Sequence, residues 1–488
     1  MGVKASGAFL SFLGGIFFCA AFPFFLYADK PRKRERPVLP KKARAELLSQ
    51  TEKMWHFFEK YTGKDTHFLP PDNVQFFPVY RTAMRTSPTN IGMYLLAAAA
   101  VFNLGMIGKK EFGEIVENSV ESVEKLEKWR GNLYNWYDLT RLAVISGFVS
   151  SVDSGNFLAC LIAVKECLVI NNISPSLAAR IEKIISETDL GAFYCKKKKL
   201  FSIGYDSEKG ELSPHRYDML MSEARILSYT AIALGQVPKS HWRALSRTMS
   251  RCGSYAGAIA WTGTMFEFYM PELLLTSKEG SMSYEALRYS FYCQKRRHRP
   301  FGISESGYYA FDRDLNYQYK AHGVQKTALK GGMDRECVIS PYSSYLAMSL
   351  HPLESWNNLA LLEREGAFDP EFGFYEAVDY TKGRVGDKAV IKSFMAHHTG
   401  MSICGAANAL CNNICARLFL NDERMKRAEE LLEEKVMSGE KVLKITEEHY
   451  DDGKVLCERE ETVDQQAENS PVNVLWSGRL ALFTSANG

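Results

Sequence analysis

Ser87-Pro-Thr-Asn-Ile-Gly-Met-Tyr-Leu-Leu-Ala-Ala-Ala-Ala-Val-Phe-Asn-Leu-Gly105 carries helix signals at both ends. The Ser87 hydroxyl can accept one of the orphaned N–H groups of a first helical turn, and Pro88 suits the first helical position, where no N–H is needed. The apolar run Ile91 to Leu104 stops at Gly105, a residue that favours the turn after a helix. Lys109 to Trp129 repeats helical spacing with Phe112, Ile115, Val116, Val120, Val123 and Leu126. Two such segments with a short connection predict a helical hairpin.

The same rhythm extends in both directions. Before the hairpin, Arg44 to Tyr61 has helical spacing and Pro70-Pro71-Asp72-Asn73 breaks it. After it, helices are expected over Asn156–Asn171, Ser174–Ser186, Tyr217–Leu234, Lys239–Cys252, Tyr284–Arg296, Ser340–Leu350, Glu354–Glu365, Lys388–Asn412 and Asp422–Met437. Polar, aromatic loops separate them, and no period of about 20–50 residues marks a solenoid. Paired helices with functional loops gathered at one end suit an all-α fold closed as an α/α toroid. The tail turns charged from Glu440 to Asn469, and Val472 to Thr484 reads as two short strands around Ser477-Gly478.

The 488 residues are 46% hydrophobic and 12% aromatic, enough for a large buried core. Sixty basic against 57 acidic residues leave a net charge of +3, so no nucleic-acid partner is implied. Eleven cysteines without any Cys-x-x-Cys pair point to free thiols and no zinc site. From Ala5 to Ala28 there is no charge, and a membrane span needs about 20 such residues. Lys30, Arg32, Lys33, Arg34, Arg36, Lys41, Lys42 and Arg44 follow it against Lys4 before it, which places the body in the cytoplasm at the inner membrane. Export is the alternative, although Leu26 is large for the −3 position of a cleavage site after Ala28. The expected organisation is a membrane segment over 1–45, a helical domain over 46–438, and a charged linker with the start of a β module over 439–488.

Several carboxylates stand where glycosidic chemistry would need them. Glu305 lies between Ser304 and Ser306 in Arg299 to Tyr319, a stretch dense in aromatics that could stack on sugar rings while the serines hold the carboxylate. Glu223 falls among Tyr217, Leu220, Ala224, Leu227, Ala231 and Leu234, on the apolar side of an expected helix. There it is either part of a core ion pair, for which Arg225 and Asp218 stand nearby, or a general acid of raised pKa. Asp138, Asp153, Glu267, Glu376 and Asp379 sit in other loops, most of them beside aromatics. His397-His398 lacks an acidic neighbour at metal spacing and reads as hydrogen-bonding to substrate or loop. No dinucleotide fingerprint, phosphate loop or Gly-x-Ser-x-Gly elbow is present.

Leu69-Pro-Pro-Asp-Asn-Val-Gln75, Arg85-Thr-Ser-Pro-Thr-Asn-Ile-Gly92, Asn135-Trp-Tyr-Asp138, Ser151-Val-Asp-Ser-Gly-Asn156, Ser222-Glu-Ala-Arg225, Gly302-Ile-Ser-Glu-Ser306, Tyr317-Gln-Tyr319 and Phe394-Met-Ala-His-His-Thr-Gly-Met401 occur in this order. From about Ala45 onward the chain resembles the glycoamylase-like domain of cyclic β-1,2-glucan synthases. The resemblance implies a six-hairpin α/α barrel that transglycosylates linear β-1,2-glucan with anomeric retention, with no metal or other cofactor. It makes Glu223 the acid/base and Glu305 the nucleophile. Candidate substrate-binding residues are Trp136, Asp138, Asp153, Arg225, Glu267, Tyr317, Tyr319, Glu376, His397 and His398. Related endo-β-1,2-glucanases share the fold but invert and hydrolyse, so inverting hydrolysis is an open alternative, as is a non-catalytic glucan-binding scaffold. Full synthases also hold a glycosyltransferase and a phosphorylase-like module, and this chain is expected to be a piece of such a synthase or to work beside separate modules.

Overall fold

The computed structural model describes residues 38–436, 442–446, 472–476 and 481–485, together with positions 12, 15–19, 21 and 23. The chain divides into two units, Met1–Val38 and Leu39–Gly488. The expected membrane segment lies mostly outside the described residues; positions 12, 15–19, 21 and 23 within it are helical, and Phe12, Phe17 and Phe18 are exposed. Among the described residues no single helix is long and apolar enough to cross a membrane.

The second unit is helix-rich. Its main helices are α1 (Lys41–Tyr61), α2 (Pro88–Asn103), α3 (Lys109–Lys125), α4 (Ser151–Ile170), α5 (Pro175–Glu187), α6 (Arg225–Ala233) and α7 (Ser240–Ala244). They continue with α8 (Met265–Tyr269), α9 (Met282–Arg297), α10 (Tyr342–Ala347), α11 (Pro352–Arg364), α12 (Ala396–Leu410) and α13 (Ile414–Asn421). Helix α2 begins as its sequence dictates: the Ser87 hydroxyl accepts the Asn90 N–H at 3.2 Å, and Pro88 opens the first turn. Such a cap contributes about 1 kcal/mol.

Two kinds of helix alternate along the chain. Helices α2, α4, α6, α8, α10 and α12 are buried along nearly their whole length, whereas α1, α3, α5, α9 and α11 each keep an exposed side. Among the buried set, α2 packs on α4 and α12, α4 on α6, and α10 on α8 and α12. Arg225 of α6 donates to the Phe268 carbonyl of α8. The half-exposed helices α3, α5, α9 and α11 cover α2, α4, α8 and α10, and α1 lies on α12. Close approach needs small residues: a Cβ on Gly405 of α12 would lie 2.4 Å from the Tyr345 carbonyl oxygen of α10. The strands Val472–Trp476 and Ala481–Ser485 pair antiparallel, as expected of the tail.

Several expected helices are shortened: Asp422–Met437 keeps only Glu423–Arg427 before a 3-10 turn over Glu429–Glu433, and three others give way where the chain pairs as strand. Tyr217 pairs with Phe201 in a short ribbon and Leu220 donates to the Ser246 carbonyl, so α6 starts only at Arg225. Met249–Cys252 is a strand paired with Tyr255–Ala258, which leaves only Ser240–Ala244 helical. Ala389–Ile391 and Ser393–Met395, rich in β-favouring side chains, pair with Ala377–Asp379 and Asn73–Gln75 respectively before α12 begins.

Candidate active site

The segments that begin the buried helices converge on one cleft of about 720 Å³. Thr89 at the start of α2, Asp153 and Asn156 of α4, Glu223 just before α6, Phe266 of α8 and His397 of α12 all line it. The hairpin Ser306–Phe311/Tyr317–Lys320 adds Gly307, Tyr317 and Tyr319, with Gly307 directly opposite Tyr319. Gly302, at φ +123°, lets the chain turn into Glu305 against the Ser340 carbonyl, a conformation that disfavours a side chain.

Of the sequence-predicted residues, Glu223, Glu305, Trp136, Asp153, Tyr317, Tyr319, Glu376 and His397 line the cleft. Glu223 reaches it from a turn, not from a helix face, with Ser222 Oγ 3.2 Å from its Oε2. Burial pushes its carboxyl up to about 8, and the charges of Glu267 and Glu305 push the same way. Glu305 corrects a second expectation. Ser304 Oγ instead accepts the Phe266 N–H at 2.9 Å and pairs with the Tyr342 hydroxyl at 2.7 Å, and Ser306 Oγ has no partner among the described residues. The serines therefore do not hold the carboxylate. Burial raises Glu305 to about 7, and the hydrogen bond from the Tyr319 hydroxyl is what pulls it down.

The remaining candidates are placed as follows. Glu376 accepts the Gly307 N–H at 3.1 Å and faces His398 Nδ1 at 3.0 Å, and burial raises it to about 8. Glu267 sits behind the cleft, capping α8 by accepting from Thr264 N–H and from the Thr262 N–H and hydroxyl. Asp138 lies outside the cleft and orders a turn through Thr140 and Arg141. His398 is buried under the stacked ring of Tyr342, 3.7 Å between centroids. Arg225 is fully buried and pairs with Glu272 at 2.8 Å, neither with Glu223 nor with the cleft.

That last pair makes a stability prediction. Arg225→Ala would remove the guanidinium that pairs with the Glu272 charge in the core, and breaking a buried pair this way costs about 3–5 kcal/mol. Urea denaturation is expected to show a midpoint lowered accordingly; an unshifted midpoint would contradict the pairing.

Sequence reading missed a second polar group in the cleft. Asp72 Oδ2 accepts from Arg85 Nε and Nη2 at 3.2 and 3.0 Å, and its Oδ1 accepts from Asn90 Nδ2 at 3.1 Å. The Arg85 guanidinium lies 4.5 Å over the Trp136 ring, so it presents a flat, charged platform to the cleft. Because Asn90 turns its amide N–H₂ toward Asp72, its Oδ1 accepts a hydrogen bond from His397 Nδ1 at 3.0 Å, and burial keeps that imidazole neutral. Gln75 accepts the Tyr317 N–H and donates to the Leu315 carbonyl, clipping the hairpin onto the first strand. The only signal for these residues was their place inside the motifs Leu69–Gln75 and Arg85–Gly92.

This cleft belongs to a chain whose residues 215–423 match the glycoamylase family model, described as "Putative glucoamylase". The chain carries a glycoamylase-family domain. The chain is homologous to the cyclic β-(1,2)-glucan synthase of Rhizobium meliloti (strain 1021), with 30% identity over 82% of this chain and 19% of that protein's length. The glycoamylase-family domain also shares its fold with the endo-β-1,2-glucanase of Chitinophaga pinensis, at a TM-score of 0.64 and 14% identity over 81% of this chain and 99% of that one. The endo-β-1,2-glucanase of Talaromyces funiculosus has a TM-score of 0.62 at 12% identity, covering 80% of this chain and 90% of that one.

Proposed function

We propose that the glycoamylase-family domain cleaves β-1,2-glucosidic bonds of linear β-1,2-glucan with anomeric retention and transfers the released end to another glucan hydroxyl. The observation that carries the reading is that Glu223 and Glu305 line one cleft, where the charge of Glu305 itself helps hold the proton on Glu223. A retaining reaction needs one carboxyl of each protonation state. Tyr319 donates to Glu305 and favours its ionisation, while at Glu223 the backbone N–H and Ser222 contacts are outweighed by burial and by the charges of Glu267 and Glu305. Ionised Glu305 attacks the anomeric carbon as protonated Glu223 delivers its proton to the departing oxygen. Glu223 then takes a proton from the incoming hydroxyl, which breaks the glycosyl ester and restores the first state. Trp136, backed by Arg85, and Tyr317 and Tyr319 offer faces for the sugar rings.

In this reading the alternating helices close as a six-hairpin α/α toroid, with α2, α4, α6, α8, α10 and α12 as the inner ring. Their pairwise packing supports it, with the Arg225 contacts joining α6 to α8. Inverting hydrolysis is the second reading, favoured by the two structural neighbours named as endo-β-1,2-glucanases. Incubating the purified full chain with linear β-1,2-glucan and separating the products tests both. Cyclic or lengthened glucans support transfer, shorter chains of inverted anomer support the second reading, and unchanged glucan over a range of pH defeats both. A chain that binds this glucan tightly without turning it over would be the non-catalytic scaffold.

The location belongs to the same proposal: a single N-terminal span with the domain in the cytoplasm, beside separate glycosyltransferase and phosphorylase-like activities. The basic residues from Lys30 to Arg44 support it. A reporter fused after Gly488 is expected to be active only in its cytoplasmic form. Periplasmic activity, or a mature N-terminus at Asp29, would contradict it.

A further inference from the structure

Two buried side chains at the cleft, Glu376 and His398, have no part in the two-carboxylate scheme. His398 Nδ1 lies 3.0 Å from both oxygens of Glu376, and its Nε2 lies 3.5 Å from the Tyr319 hydroxyl, which in turn bonds Glu305. The imidazole is clamped by Tyr342, stacked 3.7 Å away at 11°, with His397 at 4.1 Å and the edge of Phe266 at 6.4 Å. Four groups on three separate elements thus form one file: Glu376, His398, Tyr319 and Glu305.

Donor and acceptor counting allows two directions for the file, and the protonation state of Glu376 selects between them. Glu376 Oε1 already accepts the Gly307 N–H at 3.1 Å, so a protonated Glu376 would donate from Oε2 to His398 Nδ1. A neutral imidazole has one donor and one acceptor nitrogen. With Nδ1 accepting, Nε2 carries the hydrogen and points it at the Tyr319 oxygen. Tyr319 then has its single O–H left for Glu305. Burial raises Glu376 to about 8 and lowers His398 to about 3, which agrees with both being neutral. The other charged or titratable groups around the imidazole are His397 and, further off, Asp72. The opposite polarity, an ionised Glu376 accepting from Nδ1, would turn the Tyr319 hydrogen toward Nε2 and take from Glu305 its donor.

We propose that Glu376, His398 and Tyr319 form a one-way hydrogen-bond chain that ends on Glu305 and holds that carboxylate ionised and aimed for attack. Glu376 and His398 are positioning residues acting through Tyr319, and no bond is made or broken at them. The inference rests on the nucleophile role given to Glu305 above, and its test has an arm independent of that role.

The first arm uses the full chain with ¹⁵N-labelled histidine at neutral pH, with His398 identified by the signal missing from His398→Gln. Long-range proton–nitrogen correlation is expected to show the hydrogen on Nε2 and none on Nδ1. A hydrogen on Nδ1, or on both nitrogens, overturns the chain whatever the substrate. The second arm is turnover of linear β-1,2-glucan. Glu376→Gln keeps an N–H donor toward Nδ1 and a carbonyl for the Gly307 N–H, and its kcat is expected within about fivefold of wild type. Glu376→Ala and Tyr319→Phe are expected to lose about 10- to 100-fold in kcat with KM little changed, the worth of one hydrogen bond to a charged group. A Glu376→Gln variant that folds and is as inactive as Glu305→Gln overturns the proposal. Wild-type protein inert on this glucan defeats the substrate reading instead, and the nitrogen signals still decide the chain.

Discussion

Glu305→Gln is expected to abolish formation of any glycosyl-enzyme and to cut kcat on linear β-1,2-glucan by about 10,000-fold or more, as losing a covalent nucleophile does. The amide has the shape of the carboxylate and can still accept from Tyr319, so the cleft should keep its form and its affinity for the glucan. Folding should not suffer either. Glu305 is held above the ordinary carboxylate range by burial, so its charge opposes folding, and removing the charge relieves that cost. The expected pattern is lost kcat with nearly unchanged KM and an equal or higher melting temperature. Residual turnover within about tenfold of wild type would remove Glu305 from the chemistry.

Glu223→Gln is expected to slow turnover of the natural glucan by about 100- to 10,000-fold, the range for a general acid, and far less for a donor with a good leaving group. With such a donor the ester on Glu305 should form and then accumulate, because Glu223 is also the base that activates the incoming hydroxyl. The same variant makes a stability prediction whose sign can be worked out. Glu223 titrates near 8 when folded and near 4.5 when unfolded, so the folded state holds its proton longer. Its contribution is complete below about 4.5 and is lost as pH rises through about 8. Unfolding at both ends of that window is expected to show the glutamine variant more stable than wild type at high pH and equal to it at low pH. A variant less stable at high pH would mean that Glu223 is paired in its ionised form.

Helices such as α2 were legible because cap, apolar run and stop signal all lie within nineteen consecutive residues. The run before α6 misled for a physical reason. Leu220 and Ala224 are buried in a turn by contacts from other segments, and their spacing imitates a helix face. Ribbons of two or three residues, such as Arg85–Thr86 on Tyr137–Asp138, are too short to show an alternating pattern. The cleft carboxylates were legible one by one from their motifs, but their partners were not. Ser304, adjacent to Glu305 in sequence, turns away to Phe266 and Tyr342, while Tyr319, fourteen positions on, reaches back across a hairpin. Arg225 likewise finds Glu272 rather than the nearby Glu223. Which groups meet is decided by how strands and helices pack, and a local reading of charge and spacing does not contain that.

The central claim is that Glu305 forms a covalent bond to the sugar while Glu223 handles the proton. Incubation with a fluorinated β-glucosyl donor, whose slowed second step traps the ester, followed by proteolysis and mass mapping, tests it most directly. The label is expected on the peptide holding Glu305, in wild type and in Glu223→Gln, and on no peptide in Glu305→Gln. A label on Glu376, Glu267 or Asp138, or product of inverted anomer with no labelled peptide at all, would contradict it.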